Sequence, residues 1–267
     1  MSDPPTDLTT THIDPAEAVA TVGSWLDDYL AEAGAEGYVL GVSGGLDSTV
    51  AAHLAVEYVG ADRLTGIVMP GEPSDPGHMA DARRLCADLG IDWYEVDISP
   101  FVSWVDDALP VDLGQTDLGN VRARTRMVLW YAEANAADEL VIGADNRSEF
   151  LLGYFTKYGD AATDVAPLGD LYKTEVVAVA RELGVDETFI EKTPTAGLWE
   201  GQTDVKEIGT TYDIIDTVLQ HLVDHGHSVG ETAAATGIDE ETVERLADLH
   251  RGSEHKRERP PTPGMRL

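Results

Sequence analysis

Hydrophobic positions recur along this chain with two different periods, and the places where each holds set the elements to expect. Over residues 14–32, Val19, Val22, Leu26, Tyr29 and Leu30 fall near a 3.6-residue spacing, which predicts an amphipathic helix. Residues 38–42 form a short apolar run, the pattern of a buried strand, and it ends in Ser43-Gly44-Gly45. A helix is expected at about 46–59, a strand at 64–69, a loop rich in Pro and Gly at 70–77, a helix to 89 and a strand at 93–96. A long helix at 118–136, a fourth strand at 140–143 and a helix at 174–183 follow. From 211 the chain reads as helical, and Pro260, Pro261 and Pro263 mark an extended end. Strands alternating with helices imply βαβ units, so the fold class is α/β, a parallel sheet flanked by helices with a helical C-terminal region. Ligands bind beyond the carboxyl ends of strands in such sheets, so the loops after Val42 and Gly143 should converge. No repeat or low-complexity block divides the 267 residues, which read as one domain, with 1–13 and 260–267 as flexible tails.

Charge narrows the class of partner. Asp and Glu total 49 against 18 Lys and Arg, a formal charge of −31, so nucleic acid and anionic membranes are excluded as partners by repulsion. No run is long enough to span a bilayer, and the polar first residues lack the apolar core of a secretory signal, so a cytoplasmic location is expected. Cys86, the single cysteine, is expected in the core. Only five of the cations are Lys (157, 173, 192, 206 and 256), and an acidic surface nearly stripped of Lys suggests a halophilic protein, adapted to concentrated salt. Where those five lysines lie therefore matters.

The first candidate for chemistry is Gly41-Val42-Ser43-Gly44-Gly45-Leu46-Asp47-Ser48-Thr49, a strand-to-helix turn. Its glycines let backbone approach a ligand, the helix start offers N–H donors, and Ser43, Ser48 and Thr49 add hydroxyls, which together suit a phosphate. Neither the Walker A nor the dinucleotide glycine spacing is present. Asp47 sits among phosphate donors, which makes sense if Mg²⁺ lies between them; otherwise it stabilises the first helical turn. Ser-Gly-Gly-x-Asp-Ser after a strand resembles the pyrophosphate loop of the N-type ATP pyrophosphatases, which split ATP into AMP and pyrophosphate. The motif does not choose the acceptor.

Other blocks do. Arg122, Arg124 and Arg126 alternate near a helix start, where at most some can meet one anionic ligand. Val141-Ile142-Gly143-Ala144-Asp145-Asn146-Arg147-Ser148-Glu149 leaves a strand, and Glu149 is either a second Mg²⁺ ligand or a plain helix residue. Gly153-Tyr154-Phe155-Thr156-Lys157-Tyr158-Gly159-Asp160, the segment around Lys173, the segment from Glu191 to Trp199, and Ser253-Glu254-His255-Lys256-Arg257 complete the series. In this order the blocks resemble the ammonia-dependent NAD synthetases, which amidate deamido-NAD, over about 14–261.

That resemblance implies a Rossmann-like, adenine nucleotide alpha-hydrolase-like fold and a homodimer. It assigns Gly41, Val42, Ser43, Gly44, Gly45, Leu46, Asp47 and Ser48 to ATP, together with Ala144, Lys173 and Thr195. Mg²⁺ would be held by Asp47 and Glu149. Deamido-NAD would meet Arg124, Lys157, Asp164, His255 and Lys256, and Asp160 would take the proton from ammonia. The substrate carboxylate would attack the α-phosphorus of ATP, and ammonia would displace AMP from the adenylate. The 37 residues before the first strand are too few for a glutaminase, so free ammonia is the expected donor. Two departures stand out: many relatives carry Thr at Ala144, and glycines where Ala161 and Ala162 stand. An enzyme with the same loop but another acceptor, and a nucleotide sensor without turnover, are the alternatives.

Two further signals have a plainer reading. His221, His225 and His227 suggest a metal cluster, but a helix ending at Gly226 would put His227 beyond it, so they are expected as exposed histidines at a helix terminus. Residues 228–249 resemble a helix-turn-helix, yet Glu240, Glu241, Glu244 and Asp248 make a poor DNA reader and point to a helical packing unit. Water must be kept from an adenylate, and residues 157–164 are the expected lid. Limited proteolysis should show that loop protected once ATP and deamido-NAD are added together; unchanged cleavage would count against a lid.

Overall fold

Tyr38, Val39 and Leu40 are sealed from solvent on both sides, and the fold is arranged around them. In the computed structural model, which describes residues 13–263, they form strand β1 (Tyr38–Gly41). It lies between β2 (Leu64–Val68) and β4 (Leu140–Ile142), with β3 (Asp92–Glu95) outside β2. All pairings are parallel in the order β3-β2-β1-β4, and Tyr38 stands opposite both Leu64 and Leu140. Helix α1 (Pro15–Ala33) precedes β1, α2 (Leu46–Tyr58) and α3 (Pro76–Leu89) follow β1 and β2, and α4 (Ser99–Ala108) and α5 (Gln115–Ala137) join β3 to β4. Beyond β4 come α6 (Arg147–Leu152), α7 (Lys173–Glu182), α8 (Glu187–Ile190), α9 (Asp204–Ile208) and α10 (Tyr212–Leu219). A π turn (Gln220–Asp224) continues α10, followed by α11 (Val229–Thr236), α12 (Glu240–Gly252) and α13 (Glu254–Arg257).

Alternation along β1 divides the sheet into two cores. Tyr38 and Leu40 face Leu26, Leu30, Val50, Leu54, Val176 and Val179 of α1, α2 and α7, while Val39 faces Ile98, Val102 and Ala134 of the α4–α5 side. A third cluster builds the C-terminal helical region from Leu151, Leu152, Tyr212, Ile215, Val218, Leu219, Val243 and Leu246. Helix α1 begins at a Pro behind Asp14, whose carboxylate accepts from the N–H groups of Ala16 and Glu17, and it ends at Gly34 with φ 67°. The parallel α/β sheet expected from the sequence is present, with boundaries displaced by a few residues. Cys86 is buried in the main core as expected.

Where the structure departs from expectation, the reason is local. Helix α4 went unread because Val102 is its one buried residue, while Phe101 and Trp104 face outward. Strand β3 is an edge strand with all four residues exposed. Helices α11 and α12 form the expected packing unit, with Val243 and Leu246 of α12 in the C-terminal core. The three histidines are not all exposed at a helix terminus: His225 is exposed, whereas His221 and His227 are half-buried. Gly226 does turn the chain, at φ 68°, but this folds His227 back so that its N–H donates to the carbonyl of His221 at 2.9 Å. The proposed tails at 1–13 and 260–267 lie outside the described residues apart from Ile13, which packs on the main core, and 260–263, which are exposed.

A charge of −31 on this body is self-repelling, and salt shortens the reach of that repulsion from about 10 Å at 0.1 M to about 3 Å at 1 M. Thermal unfolding followed in KCl should therefore give a Tm that falls by more than about 10 °C between ~2 M and ~0.1 M. A level Tm over that range would rule out adaptation to salt.

Candidate active site

The loop after β1 is shaped by its glycines. Gly44 has φ 76°, and a Cβ there would collide with the carbonyl oxygen of His78. Ser43 Oγ and Ser48 Oγ lie 3.0 Å apart, Ser43 Oγ accepts from the N–H of Gly45 at 3.2 Å, and Thr49 Oγ1 donates to the Gly45 carbonyl at 2.7 Å. No side chain caps the start of α2, so its first N–H groups are left for a ligand in the adjoining cavity. That cavity, of about 1160 Å³, spans the carboxyl ends of β1 and β4, at the switch in strand order. Its volume exceeds the usual range for a single drug-sized ligand.

Carboxyl groups crowd its floor. Asp47, in the first turn of α2, pairs with the Lys173 ammonium at the start of α7 and accepts from Asn146 Nδ2 at 3.0 Å. Asn146 also caps α6: its Oδ1 accepts from the N–H of Glu149 at 3.1 Å, and Glu149 Oε2 accepts from the N–H of Asn146 at 3.1 Å. Burial, then the charges of Asp160 and Asp47, pushes the Asp145 carboxyl well above its ordinary pKa; burial and Asp47 do the same to Glu149. Burial also raises Asp160 and Asp204. Against this, burial disfavours the Lys173 ammonium, but Asp47 and Glu149 outweigh it and hold its pKa above the usual value. The buried oxygens Asp145 Oδ2 and Asp204 Oδ1 have no hydrogen-bond partner among the described residues. A floor of protonation-prone carboxyls with orphaned oxygens is the donor set of a hard divalent cation, and it fits Mg²⁺.

Gly41, Val42, Ser43, Gly45, Leu46, Asp47, Ser48, Ala144, Glu149, Asp160, Lys173 and Thr195 all line this one cavity; Gly44 is not in the lining, and its carbonyl accepts from Lys192 Nζ at 2.6 Å. Lys192, itself in the lining, also pairs with Asp81 at 2.6 Å. Thr195 Oγ1 donates to the Gln202 carbonyl at 2.8 Å. Arg124, Lys157, His255 and Lys256 form a second group beside the cavity. Arg124 donates to the Lys157 carbonyl at 3.2 Å, Lys157 to the carbonyl of His255, and Lys256 to those of Gly153 and Phe155 at 2.7 and 2.9 Å. Lys256 lies close enough to Asp160 for the two charges to be felt mutually. Asp164 stands apart from both groups: its carboxylate accepts from the N–H of Val141 at 2.8 Å and from Tyr131 at 3.3 Å, fixing this segment along β4.

Several lining residues lay in blocks singled out from the sequence but were given no role there, and Asp204 lay outside those blocks. Of the three alternating arginines it is Arg126 that reaches the cavity wall, where burial pushes its pKa down to about 10 and its guanidinium donates to the Met69 carbonyl at 3.2 Å. Lys192, Asp145 and Asp204 belong here too; scarcity of Lys was the available signal for the first, and nothing in the sequence set the two acids apart. Charge removal gives a test. Without Mg²⁺, Asp145→Asn should raise Tm by about 2–4 °C, and Mg²⁺ should add less stability to it than to the parent. Since the folded chain binds extra protons at these carboxyls, their own contribution to parent stability without Mg²⁺ is fullest in acid and declines as pH rises beyond the ordinary carboxylate range. A lowered Tm in Asp145→Asn would show that this carboxyl is not strained.

Comparison with known proteins identifies the family. Residues 18–260 match the family described as NAD synthase. The NH(3)-dependent NAD(+) synthetase of Halobacterium salinarum is 48% identical over 260 residues, covering 97% of each chain. Among solved structures, the NMN synthetase of Francisella tularensis aligns with TM-score 0.85 and 36% identity, over 95% of this chain and 100% of that one. The NH3-dependent NAD synthetase of Campylobacter jejuni, solved with a nitrate ion, aligns with TM-score 0.79 and 28% identity, over 94% and 99%. With the family match running over residues 18–260 and a relative 48% identical over 97% of each chain, the chain belongs to the NAD synthase family.

Proposed function

We propose that the chain is an ammonia-dependent NAD synthetase, a ligase that amidates deamido-NAD at the expense of ATP and releases AMP and pyrophosphate. The observation that carries this reading is Asp47: a carboxylate in the first turn of a phosphate-type helix start, paired with Lys173 and close to Glu149. The N–H groups of α2, with Ser43 and Ser48, bind the ATP phosphates; Gly41 to Ser48, Ala144 and Thr195 line the nucleotide's berth. Mg²⁺ held by Asp47 and Glu149 would supply positive charge beside those phosphates. Lys173 and Lys192 flank the same loop and favour negative charge on the leaving pyrophosphate. The Ala144 side chain has no hydroxyl, so any contact it gives ATP is through backbone.

The acceptor's carboxylate attacks the α-phosphorus, pyrophosphate departs, and ammonia then attacks the acyl carbon and expels AMP. Asp160 takes the proton: Thr156 N–H donates to its Oδ1 at 3.0 Å and orients it, and burial raises its pKa toward a useful base. Arg124, Lys157, His255 and Lys256, with Asp164 beyond them, are assigned to deamido-NAD, whose pyrophosphate suits a basic group. Exposed Phe101 and Trp104, with rings 6.0 Å apart, support a homodimer, and ATP, deamido-NAD and ammonia fit a cytoplasmic enzyme. The Francisella resemblance raises a second reading, a smaller mononucleotide acceptor.

Purified protein given MgATP, ammonium and either acceptor in molar KCl should form NAD and AMP from deamido-NAD, with the deamidated mononucleotide the poorer substrate. Formation of ADP would end the proposal, and faster turnover of the mononucleotide would favour the second reading. Asp47→Asn should lower turnover by at least about 10²-fold while leaving the Tm within a few degrees; an unaltered rate would remove Asp47 from the metal site.

A further inference from the structure

Away from the cavity, the turn between α10 and α11 gathers three imidazoles. The π turn carries an extra residue per turn, which is uncommon and recurs at functional sites. Gly226, at φ 68°, then reverses the chain. His221 Nδ1 and His227 Nδ1 lie 3.0 Å apart, the ring centroids of His221 and His225 are 5.1 Å apart, and one ring nitrogen from each of the three falls within 4.8 Å of the others. The turn is fastened from behind: Asp224 pairs with Arg147 at the start of α6 and accepts from the Tyr172 hydroxyl at 2.8 Å. Its carboxylate is thus committed elsewhere, and the donor set of the cluster is nitrogen alone.

We propose that His221, His225 and His227 form a site for a divalent transition-metal ion, zinc above all, distinct from the Mg²⁺ position in the cavity. Imidazole suits zinc, copper and nickel, whereas Mg²⁺ takes oxygen ligands, so the two positions select different ions. With Zn–N bonds of about 2.0–2.1 Å, tetrahedral geometry sets ligand nitrogens about 3.3 Å apart. His221 and His227 are already near that spacing, and His225, exposed on the turn, closes the remainder by rotating its ring. A chain of charge −31 raises the local concentration of cations around it. The bound ion clamps the π turn to the start of α11, leaving one coordination position to water.

The test is a titration of the metal-stripped full-length protein with Zn²⁺, and in parallel with Co²⁺, in molar KCl with Mg²⁺ saturating. One Zn²⁺ should bind per chain with Kd below about 0.1 mM, and Co²⁺ should develop the visible absorption of a tetrahedral nitrogen site. His225→Gln and His227→Gln should each weaken binding at least about tenfold, with NAD formation unchanged. His225 is exposed, so its variant keeps the fold and isolates the ligand effect. Absence of stoichiometric binding below that Kd would overturn the proposal. So would equal affinity in both variants, which would place the ion at Asp47 and Glu149 instead.

Discussion

Negative charge confined beside an uncapped helix start is the constraint on which the rest of the site depends. Asp47, Asp145, Glu149 and Asp160 open onto one cavity, and burial raises the pKa of the last three. Left alone, like charges in a poorly solvated space push one another toward the protonated form. The Lys173 ammonium offsets part of this by pairing with Asp47. The remainder of the charge suits the cavity to a divalent cation, in keeping with the proposed use of MgATP.

Holding these groups at fixed separation requires support from beneath, and the C-terminal helical region supplies it. Asp216, buried on α10, accepts from Ser148 of α6 at 2.5 Å and from both the N–H and hydroxyl of Thr174 at 2.9 and 2.8 Å, while Ser148 Oγ accepts from the N–H of Lys173 at 2.9 Å. One carboxylate thus ties the helix bearing Glu149 to the helix bearing Lys173. Burial lifts Asp216 to about 6, a sign that its three donors only partly repay its desolvation. The sheet positions the loop after β1, and the helices behind it position the counter-charges.

Legibility from sequence followed how local each feature is. The loop of residues 41–49 is contiguous, so its glycines, hydroxyls and carboxylate could be read together. Helix α5 was legible as a helix, but alternate spacing sent its arginines to three different carbonyls, those of Leu198, Lys157 and Met69, and only tertiary structure shows that Arg126 meets the cavity. Lys192 reaches the Gly44 carbonyl from 148 residues away, beyond any periodicity argument. The scarcity of Lys nonetheless proved informative: Lys173 and Lys192 lie against the phosphate loop, and Lys157 and Lys256 lie in the basic group. In the histidine turn the i, i+4 spacing of His221 and His225 was visible, but the reversal at Gly226 that returns His227 to them depends on a left-handed glycine, a backbone choice that composition does not reveal.

The two halves of the site are built differently, and this bears on how such a chain can change its acceptor without losing its chemistry. The half proposed for ATP is made from helix starts and strand ends, where a displaced backbone would disturb the core around β1. The half proposed for the acceptor comprises the loop 153–164 and α13, where Lys157 and Lys256 donate to the carbonyl oxygens of His255, Gly153 and Phe155. Contacts to backbone carbonyls tolerate sequence change in the residues that offer them, so the loop can be rewritten while its cations stay seated. Ala161 and Ala162 stiffen that loop where glycines would loosen it. A stiffer acceptor loop loses less entropy on ordering over substrate, which favours a fixed acceptor shape over an adaptable one.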